Sequence, residues 1–153
     1  MKSKVIRFLL VIFISTNTFS SEIPSYSAKY SFESEEISIS GVREFYKTAN
    51  GHEMRFEASN LFASLFFLSK FEIENGKVIS DSYEIKIRPK FLDRDQYLNF
   101  DYEAMEVRSE GINKWVGSLK DKLVYDPLNV QIEIRKNVIA GLKDFSLLSL
   151  IHI

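Results

Sequence analysis

Apolar residues recur at every second position through most of this chain. In "YSAKYSFE" the places of Tyr26, Ala28, Tyr30 and Phe32 alternate with polar ones, and "EISIS" carries the rhythm on through Ile37 and Ile39. A period of two, built from aromatic and β-branched residues, is the pattern of a half-buried strand. "YEIKI" (Tyr83, Ile85, Ile87) and "YLNFDYEAMEV" (Leu98, Phe100, Tyr102, then Met105 and Val107) predict two or three further strands, separated by a break at Pro89. Short strands are expected in "INKWVG" around Trp115 and "KLVY" around Val124. "LFASLFFLSKF", Leu61 to Phe71, is the most apolar stretch after the first 20 residues. It reads as a strand buried on both faces, or a strand preceded by a short buried turn; its functional reading is the wall of an apolar cavity or a partner patch. No helix-length crossover separates these strands, so they predict an antiparallel meander.

Two Asn-Gly pairs set the expected hairpins. A two-residue loop at Asn50-Gly51 pairs Phe45 with Phe56 and Lys47 with Met54, keeps apolar residues on one face, and puts Glu44 opposite Glu57. The same loop at Asn75-Gly76 would put Phe71 opposite Ser80 and Glu72 opposite Ile79, mixing wet and dry positions. One more loop residue, with Gly76 at the positive φ of a G1 bulge, pairs Phe71 with Ile79 and Phe67 with Tyr83.

"YDPLNVQIEIRKNVIAGL", Tyr125 to Leu142, breaks the pattern. Asp126 offers a carboxylate to free helix N–H groups, and Pro127 has the φ of a first turn. Leu128, Ile132, Arg135, Ile139 and Leu142 share one helical stripe, and Gly141 marks the end. A strand would use only Val130 to Ile134 and ignore the Asp-Pro start, so a helix covering one face or end of the sheet is expected. Arg135 on that stripe must be paired or reach past the core to water.

The first residues change the picture of where the chain works. Lys2, Lys4 and Arg7 precede the apolar run Phe8 to Ile14, and Thr18 and Ser20 suit a cut after Ser20. That is a secretory signal, too short in its apolar part to span a membrane. The expected organisation is thus a signal peptide over 1–20 and a single β-rich domain over 21–153. Without the signal, 20 − 3 = 17 Lys and Arg face 21 Asp and Glu, a net charge of −4. An acidic balance argues against a nucleic-acid partner, whose binding draws on a basic surface. The chain has no cysteine, which excludes disulfides, thiol nucleophiles and thiolate metal sites.

Candidate chemistry is sparse. His52 follows a tight turn and reads as an exposed loop histidine, His152 lies next to the last residue, and neither accompanies a G-x-S-x-G elbow. Two distant histidines serve zinc poorly. Asp93, Asp95 and Asp101 invite a calcium reading, but Tyr97 and Leu98 stand where an EF-hand loop needs Asp or Asn and then Gly. No catalytic residue, metal site or cofactor is assigned, and the ligand-binding residues are unknown.

The order of these features resembles a family of exported Gram-negative envelope proteins known as domain of unknown function 3108. The "YSAKYSF" strand, the segment "ASNLFASLFFLSKFEIENGKVISDSYEIK", the strand "NFDYEAMEV" and above all "DPLNVQIEIR", with Asn129 where Ser is more usual, carry the resemblance. It implies an envelope protein built on a curved antiparallel sheet or incomplete β-barrel and transfers no catalytic residue. Relatives of that kind continue past the helix into more strands, so the apolar ending "DFSLLSLIHI" is expected to be a truncation that leaves Leu147, Leu148, Leu150 and Ile151 either wet or plugged into the core. The fold class expected is therefore mainly β with one helix near the C-terminus. The expected function is a periplasmic, non-enzymatic module that binds an apolar ligand or an envelope partner. An envelope hydrolase using carboxylates such as Glu57, Asp81 or Asp101 is the alternative.

Overall fold

A computed structural model describes residues 23–35, 38–89, 94–119 and 123–150. The signal segment and its cleavage point, with Ile37, Asp93, Ile151 and His152, lie outside these residues.

Eight strands follow one another as an antiparallel meander in sequence order: β1 (Tyr26–Glu33), β2 (Ser38–Thr48), β3 (Gly51–Ser59), β4 (Ala63–Glu74), β5 (Lys77–Pro89), β6 (Arg94–Asp101), β7 (Glu106–Gly111) and β8 (Trp115–Ser118). The chain then makes β9 (Val124–Tyr125), helix α1 (Val130–Ile139) and β10 (Leu148–Ser149), which pairs parallel to β9. The predicted class holds: among the described residues the protein is mainly β, its sheet open between β1 and β8 like an incomplete barrel, with one helix near the C-terminus.

Alternation lines the inner face in rows that cross the sheet, the first of them from β1 to β8. One row reads Tyr26, Phe45, Met54, Ser69, Tyr83, Leu98, Ser109, Trp115. The next reads Ala28, Arg43, Phe56, Phe67, Ile85, Gln96, Gly111, and a third Tyr30, Gly41, Ala58, Leu65, Ile87, Arg94. α1 lies over the first row, and the buried core of Phe45, Met54, Phe71, Tyr83, Leu98, Phe100, Val107, Leu128 and Ile132 forms between them.

Both hairpin expectations need correction. At the first, the turn residues are Ala49 and Asn50, so Phe45 faces Met54, Lys47 faces His52 and Glu44 faces Arg55. The register is two residues from the expected one, which leaves every face unchanged and replaces a Glu–Glu pair by Glu–Arg. Gly51 takes φ +134, and a Cβ there would sit 2.8 Å from the Phe71 carbonyl oxygen. Close approach of β4 therefore fixes the glycine just after the turn.

At the second hairpin the rejected two-residue loop is the one that forms. Asn75 (φ 49) and Gly76 (φ 74) are both left-handed, as a type I′ turn requires. Glu72 faces Ile79 and Phe71 faces Ser80. The bulge falls farther down, where Lys70 faces Ser82 and Asp81 is the extra residue. Ser80 is not wet; it is buried, and what it binds explains the register.

The apolar stretch Leu61 to Phe71 divides in two. Leu61 and Phe62 sit in an exposed turn rather than a buried one, and β4 follows. Its outer Phe66 is half-buried, with the Arg55 guanidinium 5.7 Å and the Lys86 ammonium 5.3 Å from its ring centre.

Candidate functional site

The helix forms where the Asp-Pro start predicted it. Asp126 accepts the N–H groups of Leu128 (2.8 Å) and Asn129 (2.9 Å), while the Asn129 side chain accepts the Asp126 N–H (3.0 Å). This is a reciprocal capping box with Asn in the place usually held by Glu or Gln. At the other end Gly141 (φ 77) and Leu142 return their N–H groups to Val138 and Asn137, closing a Schellman motif. The strand reading of "VQIEIR" is thereby excluded.

The box is fastened to the sheet. Ser69 of β4 donates to the second Asp126 oxygen (2.6 Å), the Asn129 amide donates to Ser80 of β5 (2.9 Å), and the Ser80 hydroxyl donates to the Val124 carbonyl (2.7 Å). All four side chains are fully buried. Burial pushes the Asp126 carboxyl up to about 6, against the lowering pull of Ser69 and the two backbone N–H groups. It also raises Tyr83, with the nearby Asp126 charge adding to the rise. One turn on, Glu133 accepts the Val78 N–H (3.2 Å) and the Lys136 ammonium (2.8 Å), and Lys136 also binds the Gly76 carbonyl.

Beyond these anchors the predicted stripe fails. Leu128 and Ile132 are buried, whereas Ile139 and Leu142 are exposed, because the last helical turn runs past the sheet. Arg135 is exposed with its guanidinium 5.5 Å from the Tyr26 ring centre, so it reaches past the core as expected. After the helix, Leu147 and Leu150 pack against the core while Leu148 stays half-exposed in β10.

Beyond the helix the inner face is only partly covered: Ile85, Gln96 and Ala58 are still buried, and exposure grows toward β1. Tyr30 meets Phe56 edge-on at 6.3 Å, and Phe56 stacks on Phe67 at 6.0 Å, with Leu65 and Ile87 half-buried beside them. Phe32, on the same face of β1, is 60 % exposed. The turn before β4 belongs to the same end: the Asn60 amide reaches the Ser38 carbonyl (3.4 Å), and its oxygen holds the N–H groups of Phe62 and Ala63. Leu61 and Phe62 are thereby presented 85 % and 67 % exposed. Arg43 marks the border of the two halves, binding Gln131 of α1 while its guanidinium lies 4.7 Å over the Tyr30 ring.

The carboxylates named from sequence do not gather. Glu57 pairs with Arg55 (3.6 Å) on the outer face, Asp101 accepts the Ala104 N–H (2.8 Å) beyond β6, and Asp81 accepts from Ser82 (3.2 Å). Asp95 pairs with Arg88 (3.3 Å). His52 is half-buried rather than exposed, stacked between Phe45 (5.6 Å) and Phe71 (5.8 Å). It lines an open cleft of about 350 Å³ with Glu53, Lys70, Glu72 and Asp81. Sequence reasoning passed over Ser69 and Ser80; parity was an available signal only for Ser69, which stands between Phe67 and Phe71, whereas Ser80 is out of phase with Tyr83 and Ile85 and turns inward through the bulge at Asp81.

Among the described residues no helix is long and apolar enough to cross a membrane, and no group of three or more His, Asp and Glu side chains is placed to hold a metal ion. No family model, curated protein or solved structure matches this chain.

Proposed function

We propose that this chain is an exported envelope module without enzymatic activity, and that the open end of its inner face binds an apolar ligand or an apolar patch on an envelope partner. The observation that carries the proposal is an apolar end of the sheet: Tyr30 and Phe32 exposed, Phe56, Phe67, Leu65 and Ile87 partly buried beside them, and Leu61 and Phe62 exposed on the turn before β4. Soluble surfaces seldom leave such a patch without a use. Arg43 at its border supplies a cation, which suits an apolar chain that carries an anionic head. The envelope assignment rests on the signal-like first 20 residues and on the resemblance to the envelope family.

The test is mass spectrometry of material extracted from the purified chain under denaturing conditions, beside binding of a fluorescent fatty acid. The native chain releases an amphipathic lipid or binds the probe, and a Leu61→Ser/Phe62→Ser variant loses most of that binding while keeping its thermal stability. Clean protein that ignores the probe overturns the ligand reading. Export has its own test: the protein recovered from a Gram-negative envelope fraction begins at Ser21 or Glu22, and an intact Met1 there refutes it.

The carboxylate-hydrolase reading has one observation on its side, the cleft that joins His52, Glu72 and Asp81. Turnover of simple ester or glycoside substrates by the native chain, lost in Asp81→Asn, would establish it.

A further inference from the structure

The two edges of the sheet differ. β8 has four residues, a length that offers little to a partner. β1 has eight residues, runs without bulge or proline, and has no neighbour on its outer side among the described residues. An edge of that kind is a template for another strand. We propose that its partner is β1 of a second copy, antiparallel about a two-fold axis through Ser31.

The side chains select this register. Lys29 and Glu33 stand on the outer face at equal distances from Ser31, both exposed and neither in an ion pair within the described residues. A two-fold axis through Ser31 sets Lys29 of each copy opposite Glu33 of the other, so two opposite-charge pairs form at once. On the inner face the same axis sets Tyr30 opposite Phe32, again twice. These are the two most exposed aromatics of β1, at 42 % and 60 %, and aromatic cross-strand pairs are favourable ones. Centring the axis on Tyr30 instead would oppose Lys29 to Ser31 and Glu33 to Ser27, wasting both charges. A single lysine on an edge strand guards against pairing. A lysine and a glutamate placed symmetrically about one residue admit a single partner in a single register: a copy of themselves. The result is a sheet continuous across the two copies, isologous as two-fold dimers are, with the two open apolar ends brought side by side. This inference does not depend on what, if anything, those ends bind.

The purified full chain should sediment as a reversible dimer whose population rises with concentration. Lys29→Glu and Glu33→Lys each replace two attractive pairs by two repulsive ones and weaken dimerisation by roughly tenfold or more, and the double charge swap restores it. Because the chain has no cysteine of its own, Ser31→Cys reports on the axis directly. Under mild oxidation it forms a disulfide-linked dimer in high yield, and Ser27→Cys, away from the axis, does so far less. A monomer at all concentrations overturns the proposal. So does a dimer that is indifferent to both charge reversals, or one in which position 27 cross-links as readily as position 31.

Discussion

The inner face of this sheet has two halves made from the same alternating pattern, and they meet different fates. Over the row of Tyr26, Phe45, Met54 and Tyr83 the helix closes a dry core, whereas over Tyr30, Phe56, Leu65 and Ile87 nothing described closes it. Apolar character alone does not distinguish them, since the open half carries Tyr30, Phe32, Phe56 and Phe67 of its own. What differs is the presence of Ser69 and Ser80 among the inward residues of the covered half. A hydroxyl on an apolar face is costly unless it is bonded, and these two are bonded to the capping box and its neighbouring chain. The helix therefore has one landing place, and the rest of the face is left for something else. Small polar residues inside an apolar pattern can thus mark where another element docks.

The comparison breaks first at its rings. Phe71→Ala, under the helix, should cost about 3–5 kcal/mol by the usual cost of a large cavity, and Phe32→Ala, on the open half, no more than about 0.5 kcal/mol. Urea denaturation of the two variants decides it, and equal losses would erase the distinction between the halves.

Next in size is the lock itself. Asp126→Ala removes the cap and strands the Leu128 and Asn129 N–H groups and the Ser69 hydroxyl in a buried place, at a cost of about 2–4 kcal/mol. Asp126→Asn should lose much less, because its amide oxygen can accept the same backbone N–H groups. If the two variants unfold alike, the box is not what fastens the helix.

The same carboxyl gives a pH dependence. Its folded pKa of about 6 lies above the ordinary 3.8, so folding favours the protonated form. Its contribution is fully present below about pH 4 and is lost as pH rises through 6, a change of about 3 kcal/mol at roughly 1.4 kcal/mol per pKa unit. In Asp126→Asn this component of the stability-pH curve between 4 and 6 disappears. A native-minus-variant difference that is flat with pH would show that the carboxyl keeps its ordinary affinity for protons.

The smallest effect sits at the turn that Lys136 touches. A Cβ at Gly76 would meet nothing within 4 Å, so substitutions there act through backbone conformation alone. Gly76→Val should cost more than Gly76→Asn by about 1 kcal/mol, since Asn tolerates positive φ. Matching melting temperatures for the two would contradict the type I′ assignment.

Residue pattern alone determined the strands, their antiparallel order and the helix, because alternation, turn residues and the Asp-Pro start are local signals. Even the mistaken register at the first hairpin kept the right residues inside, since a slip of two preserves faces. Tertiary structure alone decided which of two hairpin loops forms at Asn75-Gly76. That choice turned on Ser80, whose hydroxyl is acceptable inside only because Val124 and Asn129 arrive from more than 40 residues away to bond it. It likewise decided that Ile139 and Leu142 stay wet, that Leu61 and Phe62 stand exposed, and that one half of an evenly apolar face remains open. Local sequence specifies which side of a strand is dry enough to be covered; what covers it depends on contacts between distant segments, which no local pattern contains.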